Sequence, residues 1–389
     1  MGRIRRWEAD RRQPAAVERR RGRRGVPSGD PGIERAVDEG IGWLGRAQDE
    51  SASRDGGVAA WFSLSSGWST SYPETTGYIV PTMLAYAGLR GAPEARERAR
   101  RMLNWLVSIQ LPEGGFQGGL IGGDPGPVTF NTGQILIGLA IGARELGDER
   151  YWTAARAAAD WLVRTQEADG CWRRHPSALV APGDKVYYTH VGWGLLEAAR
   201  LDSGRGYREA AIANVRWALS WQRDNGWLER CCLDDPERPL THTLGYALRG
   251  VLEAYRYTDD ASLLEASVRT AEPLLAALGQ NGFLPGRFDR DWRSAAPWAC
   301  LTGTAQISIC WLLLHRLGAG ERFLEGARRA NRYVRRTMSI AGPLSTRGGV
   351  KGSFPIDGGY HPFQFPSWAC KFAVDASMLE REARGSGSP

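Results

Sequence analysis

The sequence has few cysteines and histidines, and it lacks a long apolar run. No stretch reaches the roughly 18–20 apolar residues that cross a bilayer as a helix, so we expect no membrane span. The six cysteines are irregularly spaced and form no Cys-x-x-Cys pair, which excludes a zinc or redox motif of that kind. We therefore expect reduced thiols, a cytoplasmic protein, and neither a metal nor another cofactor.

Positive charge is concentrated at the start of the chain. Residues 1–32 contain ten arginines, no lysine and four acidic residues. This segment has little apolar content and no hydrophobic stretch after its Arg pairs, so we interpret it as a disordered arm without a signal peptide. The basic character of the chain thus indicates no specific nucleic-acid-binding domain. We predict a tail over 1–32, one folded domain over 33–383 and a disordered C-terminus over 384–389.

Tryptophan and glycine are abundant, with 16 and 49 residues, and many of them belong to an internal repeat. Each strong copy has an apolar-periodic helix with Trp and Gln near its end, followed by a glycine turn with an aromatic residue. The third copy, from Trp161 to Trp172, shows all of these parts. Glycine just after a helix is a stop signal, so each copy predicts the end of one outer helix.

A second set of helices lies between the repeats. They begin with small or polar residues such as Thr189 and Thr241, which are good N-caps, and their apolar character on most faces predicts burial. We place the outer helices at 33–48, 92–110, 148–166, 206–223, 260–278 and 320–338. We place the inner helices at 75–90, 131–146, 189–200, 241–257, 302–317 and 366–381.

The lengths of the connections indicate how these helices are arranged. Inner helices are followed by short connections and outer helices by long ones, as in antiparallel hairpins. In an up-and-down ring, all the long loops lie on one face, above the N-termini of the inner helices. The sequence therefore predicts an all-α (α/α)6 toroid, a double ring of six helical hairpins, with a bowl on that face. Helix N-termini favour an anionic or polyhydroxylated ligand there.

Three patterns carry a resemblance to known families. The string Gln166-x-x-Asp169-Gly170-x-Trp172 resembles the Gln-Trp repeat of squalene and terpenoid cyclases. The six hairpins resemble the six-hairpin toroid enzymes that act on carbohydrates: polysaccharide lyases, unsaturated glucuronyl hydrolases and sugar 2-epimerases. The segments 347–355 and 365–369 are similar to single-toroid proteins of bacterial polysaccharide clusters. This resemblance, over about residues 33–381, implies the toroid fold and a carbohydrate substrate.

Two other functional classes remain open at this stage. The chain has one helical barrel and no Asp-x-Asp-Asp acid, unlike terpenoid cyclases that protonate an alkene. A terpenoid cyclase-like or prenyltransferase-like toroid that binds an isoprenoid is nevertheless an alternative. A non-catalytic glycan-binding protein is another, and it would bind a saccharide without turning it over. The sequence indicates no oligomeric state.

Histidines at the predicted bowl are candidate acid–base groups. His190 and His242 occupy the same position in successive repeats, each after the threonine that opens an inner helix. His361 follows Tyr360 in the last long loop. Because histidine exchanges protons near neutral pH, we expect His190 or His242 to remove a proton from the substrate. Tyr188 or Tyr360 would then supply one.

Two carboxylates form the alternative catalytic pair. Glu74 opens the first inner helix, and Asp291 lies in the loop that precedes the fifth inner helix. Glycoside hydrolysis normally uses two carboxyl groups, which these residues could supply. Since the bowl has few acids, the residue types favour lyase or epimerase chemistry on a uronate-containing oligo- or polysaccharide over hydrolysis.

The remaining candidates are expected to bind the substrate. Asn131, Gln134 or Lys351 would hold a substrate carboxylate, and Arg347 would pair with an anionic group. Aromatic rings at helix mouths would stack on the sugar. The further candidates are Tyr78, Trp193, Tyr246, Gln306 and Trp368.

Overall fold

The computed structural model describes residues 14–385, and two concentric rings of helices account for most of them. The outer ring consists of α2 (Ile33–Asp49), α4 (Pro93–Ser108), α6 (Glu149–Thr165), α8 (Tyr207–Leu219), α10 (Ala261–Ala276) and α12 (Glu321–Thr337). The inner ring consists of α3 (Pro73–Arg90), α5 (Thr129–Leu146), α7 (Thr189–Ala199), α9 (Thr241–Thr258), α11 (Leu301–Arg316) and α13 (Ser367–Gly385). The predicted (α/α)6 toroid and its twelve helices are confirmed.

The two rings differ in how they bury their side chains. Outer helix α12 buries a stripe that includes Phe323, Ala327 and Val334, and much of its remaining surface carries arginines. Inner helix α11 is buried from Leu301 to Leu314 because it packs between its inner neighbours and α12. A helix with one apolar face belongs at a surface, and one that is apolar on most faces belongs between layers.

The repeated glutamine ties four of the outer helices, α2, α4, α6 and α8, to the next outer helix. Gln166 Nε2 donates to the carbonyl oxygens of Gly170, in its own turn, and of Ala210, on α8, at 3.0 and 2.8 Å. Gln110 makes the equivalent bonds to Gly114 and Ala154, both at 2.9 Å. The amide thereby satisfies backbone carbonyls where a helix ends, which is the physical role of the Gln–Gly–aromatic repeat.

The ring closes through the two ends of the domain. Helix α13 packs on α2 to form the sixth hairpin and also contacts α3, which completes the inner ring. A small antiparallel sheet, β2 (Gly67–Trp68), β1 (Trp61–Ser63) and β5 (Gln364–Pro366), joins the first long loop to the last. A second pair, β3 (Ala299–Cys300) and β4 (Ser353–Phe354), links the fifth loop to the last.

Part of the arginine-rich segment is ordered, contrary to the expected disordered tail over 1–32. Residues 14–23 form helix α1, and Glu18 on it lies 3.3 Å from the buried Lys351 ammonium group. Asp30 forms an ion pair with the buried Arg335 at 2.9 Å. Ion pairs with the domain, together with apolar contacts of Ala15 and Val26 with the core, hold this segment in place. Residues 1–13 lie outside the described part.

The other end of the chain is similar. Residues 384–385, which we expected in a disordered C-terminus, belong to the last turn of α13. Residues 386–389 lie outside the described part. None of the helices within 14–385 combines the length and apolar character that a membrane crossing requires.

Candidate functional site

A cavity of about 190 Å³ opens on the loop face, where the inner helices begin. Its walls come from the first turns of α3, α5, α9 and α13, from the 3-10 turn Val186–Tyr188 before α7, and from the long loops. The residues that line it are Trp61, Tyr72, Glu74, Tyr78, Phe130, Asn131, Ser177, Leu179, Val180, Tyr187, Tyr188, Leu233, His242, Tyr246, Tyr360, His361 and Trp368. The bowl therefore lies where the loop lengths predicted it.

Aromatic rings form most of the cavity wall. Phe130 stacks on Tyr188 with ring centroids 5.6 Å apart, and its ring contacts the Tyr246 ring edge-on at 5.1 Å. On the other side, Trp368 Nε1 donates a hydrogen bond to the Tyr360 hydroxyl at 2.8 Å. Such rings present flat apolar faces while their polar atoms are held by neighbours, which suits a ligand with both apolar and hydroxyl surfaces.

Glu74 is the one carboxyl group among the described residues that line the cavity. Its Oε2 accepts a hydrogen bond of 2.7 Å from the Tyr72 hydroxyl. Burial raises the pKa of Glu74 to about 7, and the hydrogen bond from Tyr72 offsets only part of that rise. Near neutral pH this carboxyl group therefore exists in both protonation states, which is the property of a general acid–base group.

Two histidines face the same space. His242 lies on the first turn of α9, and its Nδ1 is 2.7 Å from Oε1 of Gln306. Burial lowers the pKa of His242 to about 4, although the Gln306 hydrogen bond opposes that shift. Burial likewise lowers the pKa of His361, whose Nδ1 is 2.7 Å from Oε1 of Gln364. Both imidazoles are neutral at pH 7 and can accept a proton.

Asn131 contributes an unused donor. Its buried Nδ2 makes no hydrogen bond of good geometry to any described residue. A buried amide group without a partner is unfavourable, so this nitrogen is suited to a ligand oxygen. No lysine or arginine from the described part of the chain lines the cavity.

A wider groove of about 450 Å³ continues outward from the cavity. The two share four residues, Trp61, Tyr72, Ser177 and Leu179. The far wall of the groove is the glycine-rich segment 118–128. Leu179, at the junction, is 73% exposed, although it is a large apolar residue. The cavity thus has an open approach that is large enough for a second ring-sized group.

The structure brings nine of the sequence-predicted residues together around the cavity. They are Glu74, Tyr78, Asn131, Tyr188, His242, Tyr246, Tyr360, His361 and Trp368. All of them lie at helix openings or in loops of the face that the connection lengths selected. What each of them does in a reaction remains a proposal.

Four other predicted residues lie behind the wall. His190 is buried, with Nδ1 2.6 Å from Gln134 Oε1, and neither side chain lines the cavity. Gln306 also lies behind the lining and contacts it through His242. Trp193 donates to Glu197 at 3.1 Å and packs beneath the Arg249 guanidinium group. The structure therefore places these four side chains behind the cavity lining, and direct contact between them and a ligand stays a prediction.

The remaining three predicted residues lie elsewhere. Asp291 is an exposed loop residue paired with Arg293 at 3.2 Å. Arg347 forms an ion pair with Glu39 of α2 at 2.6 Å. Lys351 is buried beneath α1, where it donates to the carbonyl oxygen of Thr337 at 2.8 Å. Each of these charged groups forms an ion pair with another residue of the protein, and none of the three lines the cavity, so the structure places the predicted second carboxylate and anion clamp elsewhere.

Several lining residues were absent from the predicted set. Phe130 immediately precedes Asn131, and Tyr187 immediately precedes Tyr188. Both therefore lie at the opening of an inner helix, the position from which Asn131 and Tyr188 were predicted. Leu179 and Leu233 come from long loops whose path over the bowl leaves no local signal. Within residues 14–385, no group of three or more His, Cys, Asp or Glu side chains is arranged to hold a metal ion.

No protein-family model and no curated protein matches this chain. Solved structures do match its fold. An unsaturated glucuronyl hydrolase specific for heparin is 16% identical, with a TM-score of 0.73 over 91% of this chain and 98% of that one. A sugar epimerase from a ruminal bacterium is 15% identical, with a TM-score of 0.74 over the same shares. A D-mannose isomerase is 11% identical, with a TM-score of 0.72 over 90% and 97%.

These likenesses define the class of the fold. The described residues form one (α/α)6 toroid, and that is the fold these solved structures share with the chain. At these identities the match concerns architecture, so the reaction has to be argued from the cavity itself.

Proposed function

We propose that this protein is a carbohydrate-active enzyme that moves a proton at a carbon atom of a sugar, as an epimerase or isomerase does. One observation carries the proposal: Glu74 and His242 line the same aromatic cavity with pKa values of about 7 and about 4. Between these values a proton donor and a proton acceptor are present together. The solved structures named above are enzymes whose substrates are carbohydrates, which agrees with this class.

The reaction follows from those two protonation states. Neutral His242 accepts a proton from the carbon next to a sugar carbonyl, and Glu74 gives its own proton to the carbonyl oxygen, so that a neutral enediol forms. Return of the His242 proton to the neighbouring carbon gives an isomer. Protonation of the first carbon on its opposite face by a water molecule, which then regains a proton from His242, gives an epimer. In both cases the enediol returns the oxygen-bound proton to Glu74, and because the proton placed on carbon exchanges with water, the product acquires solvent hydrogen.

The lining favours an uncharged sugar over a uronate. The cavity has aromatic faces and hydroxyl groups, and none of its described lining residues is a lysine or arginine that would pair with a carboxylate. A buried carboxylate without such a partner would also raise the pKa of the nearby Glu74 further. We therefore propose a neutral saccharide, with one sugar unit in the cavity.

A uronate lyase or hydrolase is the second candidate. The observation in its favour is the unpaired Nδ2 of Asn131, which offers a hydrogen bond to a substrate carboxylate at the start of α5. A lyase would convert its substrate to an unsaturated sugar that absorbs ultraviolet light. A hydrolase would release new reducing ends.

Incubation in deuterium oxide separates these candidates. Neutral mono- and disaccharides and a matching set of uronates would be tested, with loss of the carbon-bound proton followed by NMR. Deuterium incorporation into a neutral sugar, abolished in Glu74→Gln, is the expected result. An ultraviolet signal or new reducing ends with a uronate would establish the second candidate, and no change with any sugar would overturn both.

A further inference from the structure

Three of the histidines share one hydrogen-bonding arrangement. In each, the ring nitrogen Nδ1 lies within hydrogen-bond distance of the amide oxygen of a glutamine. The pairs are His190–Gln134 at 2.6 Å, His242–Gln306 at 2.7 Å and His361–Gln364 at 2.7 Å. The same atom of the ring meets the same atom of the partner in all three.

The partners come from different places in the fold. Gln134 lies on α5, the inner helix before that of His190, whereas Gln306 lies on α11, the inner helix after that of His242. Gln364 is the first residue of β5, three residues after His361 in the last long loop. Gln134 and Gln306 are each the sixth residue of their inner helix, whereas Gln364 begins β5, so the three pairs are built from two different positions in the fold.

Glycine allows the His242–Gln306 pair to form. A Cβ atom on Gly245 of α9 would lie 2.7 Å from Cβ of Gln306, and one on Gly303 of α11 would lie 2.5 Å from the backbone nitrogen of His242. Each glycine is thus required where the partner helix presents one member of the pair. The close approach of α9 and α11 sets the distance between imidazole and amide.

An amide oxygen can only accept a hydrogen bond at this position. It therefore fixes the proton on Nδ1 and leaves Nε2 with its lone pair. A carboxylate in the same place would also favour the charged imidazolium ion, which an amide does much less. Glutamine accordingly selects a neutral imidazole with one defined proton acceptor.

We infer that Gln306 is a positioning residue that holds His242 in the Nδ1–H form, so that Nε2 is the atom that accepts a proton in the cavity. Gln364 has the same role toward His361. Gln134 imposes the same form on His190, whose Nε2 is buried and makes no hydrogen bond within the described residues. The tautomer follows from the orientation of the Gln306 amide, whose oxygen faces Nδ1, whereas its catalytic consequence rests on the proposed function.

The other groups around the His242 imidazole are uncharged at neutral pH, which leaves Gln306 to determine its tautomer. The Tyr246 ring lies 4.5 Å from the imidazole and the Tyr360 ring lies 5.4 Å from it, between ring centroids. A further titratable neighbour is His361, whose electrostatic effect lowers the pKa of His242. Cys300 lies at the backbone of His242 as a buried thiol. These neighbours are neutral at pH 7, so the hydrogen-bond partner decides the tautomer.

Nitrogen-15 NMR of histidine-labelled protein tests the inference without an activity assay. The shifts of the two ring nitrogens report which one carries the proton, and a His242→Asn variant assigns the signal. We expect His242 to carry its proton on Nδ1 across the neutral range. A proton on Nε2, or a mixture of both forms, in the unmodified protein would overturn the inference, and this measurement requires no substitution at Gln306.

The variant Gln306→Glu separates positioning from packing. It keeps the size of the side chain but introduces a carboxylate, so the His242 midpoint should rise by at least one pH unit, a tenfold change in proton affinity. The acidic limb of the activity profile should move with it. Gln134→Glu is the matched control and should shift His190 while leaving the His242 titration in place. An unchanged His242 midpoint in folded Gln306→Glu would contradict the role.

A second substitution covers the case in which Gln306→Glu does not fold. Gln306→Met keeps the volume but removes the acceptor, and it should allow His242 to populate both tautomers. Retention of a single Nδ1–H form in that variant would show that Gln306 does not select it. If the tautomer is as expected but no sugar takes up deuterium, the positioning role stands and the proposed reaction fails.

Discussion

His190 and His242 have the same local sequence signal but different surroundings. Each follows the threonine that opens its inner helix, and each is held by a glutamine. The ring of Tyr246 lies between them, 4.6 Å from His190 and 4.5 Å from His242. Only His242 faces the cavity, because Tyr187 and Tyr188 occupy that wall in front of α7. Equivalent repeat positions therefore do not give equivalent access to a ligand.

Replacing each of the two histidines gives the largest expected contrast. His242→Asn should lower kcat/KM by roughly 10²–10⁴-fold, the usual loss when a general acid–base group is removed. His190→Asn should lower it less than tenfold, since His190 has no route to the substrate. Steady-state kinetics on the sugar identified by deuterium uptake would measure both. Equal losses in two folded variants would contradict the assignment.

Glu74→Gln should change the pH dependence of stability. The carboxyl group has a raised pKa in the folded state, so its contribution to stability is present at low pH and is lost as the pH rises through about 7. A glutamine does not ionise. The variant should match the original protein near pH 4 and exceed it by about 3 kcal/mol above pH 8.

Denaturant unfolding at both pH values would measure this effect. A stability difference between the variant and the original protein that did not depend on pH would show that Glu74 does not titrate as a buried group.

The dependence of kcat/KM on pH should show the titration of both Glu74 and His242. kcat/KM should fall above about pH 7 as Glu74 loses its proton, and below about pH 4 as His242 gains one. Each limb should approach a tenfold loss per pH unit. Activity that increased from pH 7 to pH 9 would instead assign Glu74 the role of base.

Asp291→Asn should have the smallest effect. The side chain is exposed and remote from the cavity lining, so unfolding free energy should change by less than about 0.5 kcal/mol. Activity should stay within twofold of the original. A large loss of kcat with intact stability would return Asp291 to the list of catalytic candidates.

Much of the architecture could be predicted from the sequence because it depends on local rules. Periodicity, capping residues and glycine stops placed all twelve ring helices close to their observed bounds; α7, for example, was predicted at 189–200 and runs over Thr189–Ala199. The tail prediction failed for residues 14–32, because their order depends on partners such as Arg335 and Lys351 that lie over 300 residues away.

The sequence predicted which face of the toroid carries the cavity, but it predicted less well which side chains line that cavity. The starts of the inner helices identified Glu74, Asn131 and His242, since loop lengths select one face of a ring. Lys351 and Arg347 were assigned to the bowl by their charge and by their place in the last long loop, and neither property reveals which carboxylate of the protein pairs with them.

The sequence by itself determined the repeat, the double ring and the face that carries the cavity, because hydrophobic period and connection length are local properties. The tertiary structure alone decided that His242 faces the cavity, that His190 is sealed behind Tyr246 and that Glu74 is buried deeply enough to hold its proton near pH 7. Those outcomes depend on how separate helices approach one another and exclude water, and no single segment encodes either.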